Sequence, residues 1–218
     1  MKFAMMYSCG KDSALALHRM MAAGHEPVCL IVTYNENAGR SWFHGVTIDL
    51  LEALSDSMGI PVVRCVCTGE RYAEAVAECL CDAKELGAEA AAFGDIDIEG
   101  HLEWNREVCN RAGLRCVTPL WQESREALVH EMIDVGFKAV MKCVDTRCLD
   151  ESFLGLTMDG ALVERIAAAG VDVCGENGEY HTFVYDGPTY KNPVPIQLGK
   201  KIGLGDFSVI DMVLKREP

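Results

Sequence analysis

The residues best suited to chemistry in this chain stand near its start: Ser8-Cys9-Gly10-Lys11-Asp12-Ser13, directly after an apolar run. Two hydroxyls, a glycine, a lysine and an aspartate, where a strand gives way to a helix, suit the binding of an anion. The first amides of a helix lack intrahelical partners and carry partial positive charge, so they offer donors to a phosphate. Lys11 would add a full charge and Ser8 and Ser13 further donors, while Asp12 makes sense if Mg²⁺ accompanies the phosphates. The common phosphate loop is excluded by inspection: G-x-x-x-x-G-K-[ST] ending on Gly10-Lys11 would need glycine at Met5 and serine or threonine at Asp12. The dinucleotide pattern G-x-G-x-x-G fails as well. A plain capped helix, with Asp12 as a first-turn acid and Ser8 near the cap, would use the same residues.

The elements that must position this loop are legible in the hydrophobic pattern. Lys2 to Tyr7 and Val28 to Tyr34 read as strands, and Asp12 to Ala23, apolar at helical spacing and ending at Gly24, as the helix between them. That is a βαβ unit, and the pattern repeats. Helices are expected over Val46 to Met58, Arg71 to Leu86 and Gly100 to Ala112, and strands over Pro61 to Val66, Ala90 to Phe93 and Leu114 to Val117. Continuous rather than alternating apolar runs fit parallel strands covered on both faces, so the fold class is α/β. Ligands of such sheets bind beyond the carboxyl ends of the strands. The loops after Tyr7, Tyr34, Val66 and Phe93 should therefore share one mouth, with Asp95 in it; a capping role would suit Asp95 equally.

Past Pro119-Leu120-Trp121 the texture changes. A helix over Arg125 to Val135, a strand over Lys138 to Val144 and a helix over Asp159 to Ala169 lead into a segment broken by Asn177-Gly178, Asp186-Gly187 and several prolines, with a last strand over Phe207 to Leu214. The expected division is residues 1–122 as the main domain and 123–218 as a smaller α+β domain.

Composition narrows the function classes. With 218 residues, 50% of them hydrophobic and 24% charged, the chain reads as a globular protein. No run approaches the roughly 20 apolar residues of a membrane span, and no signal peptide precedes the first strand. A cytoplasmic protein without a membrane partner is expected. Eleven cysteines, an odd number with no C-x-x-C spacing, read as reduced, buried thiols rather than disulfides or a zinc site. A formal charge of −13 disfavours general nucleic-acid binding and favours a basic partner.

The segment SCGKDS resembles the S-G-G-x-D-S loop of the PP-loop, or N-type, ATP pyrophosphatases, at the same place after the first strand. Phe93-Gly94-Asp95-Ile96, Trp104-Asn105, Val108-Cys109, Gly113-Leu114, Pro119-Leu120-Trp121 and GENGEYHT (residues 175–182) then resemble, in that order, the diphthine–ammonia ligase family. The resemblance spans nearly the whole chain, and GENGEYHT is its most specific mark. It implies an adenine-nucleotide α-hydrolase-like domain followed by a small domain carrying that segment.

The resemblance further implies an ATP-dependent ligase that adenylates a carboxylate, releases pyrophosphate and transfers ammonia. The implied acceptor is diphthine, a modified histidine on translation elongation factor 2, with free ammonium as nitrogen source. Implied nucleotide contacts are Ser8, Cys9, Gly10, Lys11, Asp12 and Ser13, with Lys11, Asp12, Glu176 and Glu179 as catalytic groups; the adenine is expected against the strand end at Val32 to Tyr34, held by backbone groups. Glu176 and Glu179 would face the loop across the cleft. Substrate contacts would come from Gly94, Asp95, Trp104, Glu176, Asn177, Gly178, Glu179, Tyr180, His181 and Thr182, with Asp12 and Asp95 near Mg²⁺. Asn177-Gly178 alone would also suit an ordinary hairpin turn with solvated charges.

Two residues depart from the family pattern. Cys9 stands where glycine is usual, which a side chain tolerates if the backbone angles are ordinary. His181 stands where a glutamate is common. A small-molecule carboxylate acceptor, for instance in corrinoid metabolism, and a nucleotide-binding protein without turnover are the alternatives these departures leave, and a homo-oligomer is left open. His44 and His101 have no evident partner and read as surface or capping residues.

Overall fold

The computed structural model describes residues 1–42 and 44–215. Strand β1 (Lys2–Met6), helix α1 (Lys11–Ala22), strand β2 (Glu26–Asn35), the short β3 (Arg40–Ser41), helix α2 (Ile48–Met58) and strand β4 (Val62–Val66) form the first half of a wound sheet. Helix α3 (Tyr72–Glu85), β5 (Ala90–Ala92), α4 (Glu99–Ala112) and β6 (Arg115–Val117) form the second. Strands β4, β2, β1, β5 and β6 lie side by side in that order and pair in parallel, with β3 antiparallel to the end of β2. The chain builds outward from β1 to β4, then crosses back to lay β5 on the other flank of β1. This reversal leaves a crevice beyond the carboxyl ends of β1 and β5, the place where ligands of such sheets bind.

A second, antiparallel sheet follows helix α5 (Arg125–Asp134): β7 (Lys138–Asp145), then helix α6 (Gly160–Ala168), β8 (Tyr180–Asp186), β9 (Ile196–Leu204) and β10 (Phe207–Leu214), in the order β8-β7-β10-β9. The fold is thus α/β with a smaller α+β part, as the sequence pattern implies. Strands β3, β8 and β9 are additions to the sequence reading. In β9 almost every residue is exposed, so the strand lacks the apolar face that would announce it.

Alternation along the strands splits the core. Phe3, Met5, Leu30 and Val32 face α1 and α2, whereas Ala4, Cys29, Ile31 and Cys65 face α3 and α4. The first of these cores continues without a break into Met141, Phe183 and Met212 of the second sheet. Helix α1 touches β1 and β2 on one side and β8 on the other. Being covered on both sides, it buries Ala14, Leu15, Ala16 and Leu17 in succession. Helices α5 and α6 are capped by their own Ser124 and Asp159 side chains, whereas no side chain of its own N-cap residue, Gly10, closes α1. The eleven cysteines are free thiols, and among the described residues no helix is long and apolar enough to cross a membrane.

Candidate active site

A cavity of about 810 Å³ opens beyond the strand ends. Ser8 from the loop after β1, Trp42 and His44 from the stretch after β2, Tyr72 at the start of α3, and Gly94 and Asp95 after β5 all line it. The loops after Tyr7, Tyr34 and Phe93 share one mouth, with the first residue of α3 beside them. The far wall comes from the second sheet: Glu176, Asn177 and Gly178, then Tyr180, His181 and Thr182.

The loop is held in a specific shape. Gly10 N–H donates to Ser8 Oγ at 3.2 Å, Ser13 Oγ donates to the Gly10 carbonyl at 3.0 Å, and the two serine hydroxyls lie 3.1 Å apart. Both hydroxyls therefore clasp the loop. Cys9 has φ 69°, in the left-handed region, so the backbone there is not ordinary. The condition of ordinary backbone angles for a side chain at this position is not met: the cysteine sits with its thiol fully buried and its backbone strained. The amides of Asp12 and Ser13 make no hydrogen bond among the described residues. Gly94 lies directly against them, for a Cβ there would stand 2.8 Å from Ser13 N and 2.9 Å from the Asp12 carbonyl carbon. The close approach of the two backbones makes a cradle of donors of the kind a phosphate fits.

Lys11 is buried, and its Nζ donates to Asp12 Oδ1 and Oδ2 at 2.9 and 2.7 Å while lying 5.5 Å from the centre of the Tyr180 ring. Burial opposes its charge, but the Asp12 carboxylate together with Tyr180 and Cys174 outweighs that and holds the lysine above its ordinary pKa. The pair is locally neutral, which leaves the helix amides as the open positive pole of the loop. Asp95 is tied down differently: Oδ1 meets His101 Nδ1 at 3.0 Å and Oδ2 accepts from Asn105 Nδ2 at 2.7 Å. The hydrogen bond to Asp95 raises the His101 pKa. No group of three or more His, Cys, Asp or Glu side chains among the described residues could enclose a metal. Mg²⁺ carried by phosphates needs only one or two protein carboxylates, and Asp12 and Asp95, both lining the cavity, fit that more limited demand.

Glu176 and Glu179 part company. Glu176 lines the cavity, its carboxylate making no hydrogen bond among the described residues, and burial together with the Asp12 and Asp95 carboxylates raises its pKa to about 7. Glu179 does not line it: its carboxylate accepts from the Asn177 amide at 3.1 Å and from Asn177 Nδ2 at 3.0 Å, closing its own turn. That turn needs glycine, since Gly175 and Gly178 have φ 65° and 89° and a Cβ on Gly175 would stand 2.7 Å from the Tyr180 ring. Arg125 fastens the turn from outside, bonding Asp97 at 2.6 Å, Asp172 at 2.5 Å and Asn177 at 3.4 Å.

Of the strand end expected to meet the adenine, Val32 and Thr33 line the cavity, while the Tyr34 ring lies in the core on the α1 and α2 face. The wall near Thr33 is aromatic: Trp42 and Tyr72 meet edge to face at 6.3 Å between centroids, and Tyr72 and Trp104 lie 5.8 Å apart. His44 is no surface residue. It donates from Nδ1 to the Thr182 carbonyl at 2.7 Å, lies 5.0 Å from the His181 ring, and is pushed down to about 3, chiefly by burial and then by His181. A carbonyl can only accept, so Nδ1 carries the hydrogen. His181 is lowered too, by burial and then by Lys11.

Sequence reasoning missed Trp42, His44, Tyr72, His101, Asn105 and Arg147, all of which line the cavity. One usable signal existed: His101 and Asn105, four apart on α4, share the face turned to Asp95.

Residues 1–116 match the family model described as the diphthamide synthase N-terminal domain, and residues 124–213 the diphthamide synthase C-terminal domain. The chain belongs to the diphthamide synthase family. Among its relatives are proteins named diphthine–ammonia ligase. The bovine one is 30% identical over 219 residues, covering 89% of this chain and 82% of its own, and the mouse one 29% over 227 residues, covering 93% and 85%. The human protein is 28% identical over 219 residues, covering 89% of this chain and 82% of its own. The family's two parts correspond here to the wound sheet with its loop and to the antiparallel sheet with GENGEYHT.

Proposed function

We propose that this chain is an ATP-dependent ligase that amidates a carboxylate with ammonia, with diphthine on elongation factor 2 as the acceptor. One observation carries the reading: the amides of Asp12 and Ser13, unpartnered among the described residues and at the switch point of the sheet, share a cavity with the family's GENGEYHT segment. The name of those relatives, diphthine–ammonia ligase, supports the acceptor.

The nucleotide supplies an electrophilic α-phosphorus, which converts the carboxylate into an acyl adenylate with loss of pyrophosphate. The chain's own part is placement and charge. Loop amides and Lys11 receive the phosphates, and Asp12 and Asp95 would hold the accompanying Mg²⁺. Trp42, Tyr72 and Trp104 form an apolar wall that suits the adenine, beside the strand end at Val32 and Thr33. Across the cavity Glu176 attracts ammonium and takes up a proton as ammonia attacks the acyl carbon and AMP leaves from it, a role suited to a carboxyl that titrates near neutrality.

The test is to incubate the protein with ATP, Mg²⁺, ammonium and diphthine-bearing elongation factor 2 and to follow AMP together with the mass of the modified histidine. The amide mass with stoichiometric AMP is expected. AMP formed only with a small-molecule carboxylate would overturn the acceptor, and no acceptor-dependent AMP would overturn the ligase.

A further inference from the structure

Strand β8 lies at the edge of the second sheet, so one of its sides has backbone groups with no partner strand among the described residues. On that side Val184 N–H donates to the Cys9 carbonyl at 2.9 Å, and the Thr182 carbonyl accepts from His44 Nδ1 at 2.7 Å. A carbonyl at one residue and an amide two residues on are what a strand presents to a neighbour along one edge. The nucleotide loop and the His44 loop thus occupy the place of a further strand. The Thr182 side chain reaches beyond the backbone: its Oγ1 accepts the Lys11 N–H at 3.1 Å, a bond across 171 residues of sequence. Lys11 is the first residue of α1, whose own N-cap position is Gly10, a residue with no side-chain oxygen to give.

We propose that Thr182 is a positioning residue for the nucleotide loop, capping α1 from the second sheet, and that the free edge of β8 holds the loop in its donor-presenting shape. The inference rests on the reading of this loop as the nucleotide site. It accounts for two otherwise separate facts. The φ of 69° at Cys9 persists because the Cys9 carbonyl is committed to Val184. The amides of Asp12 and Ser13 stay open because the cap uses Lys11 N–H and leaves the next two for a ligand. Thr182 touches the helix start and holds no reacting atom, so its effect is on the geometry of its neighbours.

The test compares Thr182→Val, which keeps the shape and removes the oxygen, with Thr182→Ser, which keeps the oxygen. Two readouts are taken on the full chain: hydrogen exchange at residues 8–13 without nucleotide, and ATP affinity by titration calorimetry. Loss of a cap is expected to speed exchange at Lys11 and weaken ATP about 5- to 30-fold in Thr182→Val, with both restored in Thr182→Ser. Wild-type exchange and affinity in a folded Thr182→Val would overturn the proposal. So would a drop in melting temperature with unchanged exchange, because Thr182 would then only pack. A wild-type chain that does not bind ATP would overturn the nucleotide reading, whereas the exchange comparison would still decide the cap.

Discussion

Replacing Gly94 by alanine is the sharpest probe of the cradle. The added Cβ would stand 2.8 Å from Ser13 N, 2.9 Å from the Asp12 carbonyl carbon and 3.0 Å from Ser13 Cα. Ordinary contact begins at 3.4 Å, so the nearest atom must give by about 0.6 Å. All three atoms are backbone at the start of α1, and no side chain can swing aside to relieve them. Overpacking of this kind costs about 1–3 kcal/mol. If that strain falls on the ligand-bound arrangement, ATP affinity drops roughly 5- to 100-fold at about 1.4 kcal/mol per tenfold. Alanine's own backbone preference does not confuse the result, because the φ of Gly94 is outside the left-handed region. Gly100, within α4 with nothing inside 4 Å of a Cβ, is the control, and Gly100→Ala should be neutral or stabilising by up to about 1 kcal/mol. ATP titration and thermal unfolding of both variants decide the matter. A Gly94→Ala protein with unchanged melting temperature and unchanged ATP affinity would refute the cradle.

Glu176→Gln should alter the pH dependence of stability: the folded carboxyl titrates near 7 against 4.5 as its ordinary value, so the native state holds the proton more tightly and wild-type stability falls as pH rises through that interval. The variant should lose this decline and be the more stable protein at pH 8, which denaturant titrations at pH 4.5 and 8 would show. Cys9→Gly relieves the positive φ but gives up a buried thiol and stiffens nothing, so it should unfold within about 1 kcal/mol of wild type, while Cys9→Val, β-branched at the same φ, should be far less stable. Removing Arg125 leaves Asp97 and Asp172 without their shared cation; Arg125→Ala should cost about 1–2 kcal/mol and speed hydrogen exchange over residues 172–178 without changing exchange at residues 8–13.

The sequence by itself determined the wound α/β half and the location of its mouth. Apolar periodicity shows where β1, α1, β2 and α2 must lie, because burial on two faces leaves continuous runs such as Val28 to Tyr34. The loop at residues 8–13 is legible for the same reason, since its strand, turn and helix are local. GENGEYHT could be picked out by its resemblance, but its division of labour could not. Whether Glu176 or Glu179 faces the cavity depends on how a turn closes on Asn177, and the cap on α1 depends on an edge strand that meets it 171 residues later. The strand end at Val32 to Tyr34 is expected by the mouth, but that Val32 and Thr33 line the cavity while the Tyr34 ring turns into the core is decided by packing. His44 and Trp42 come from a loop with no periodic signal and Tyr72 from the first residue of α3, and only the packing of α3, α4 and β8 around the strand ends brings them together. Local pattern decides elements, and tertiary packing decides which atoms of those elements meet.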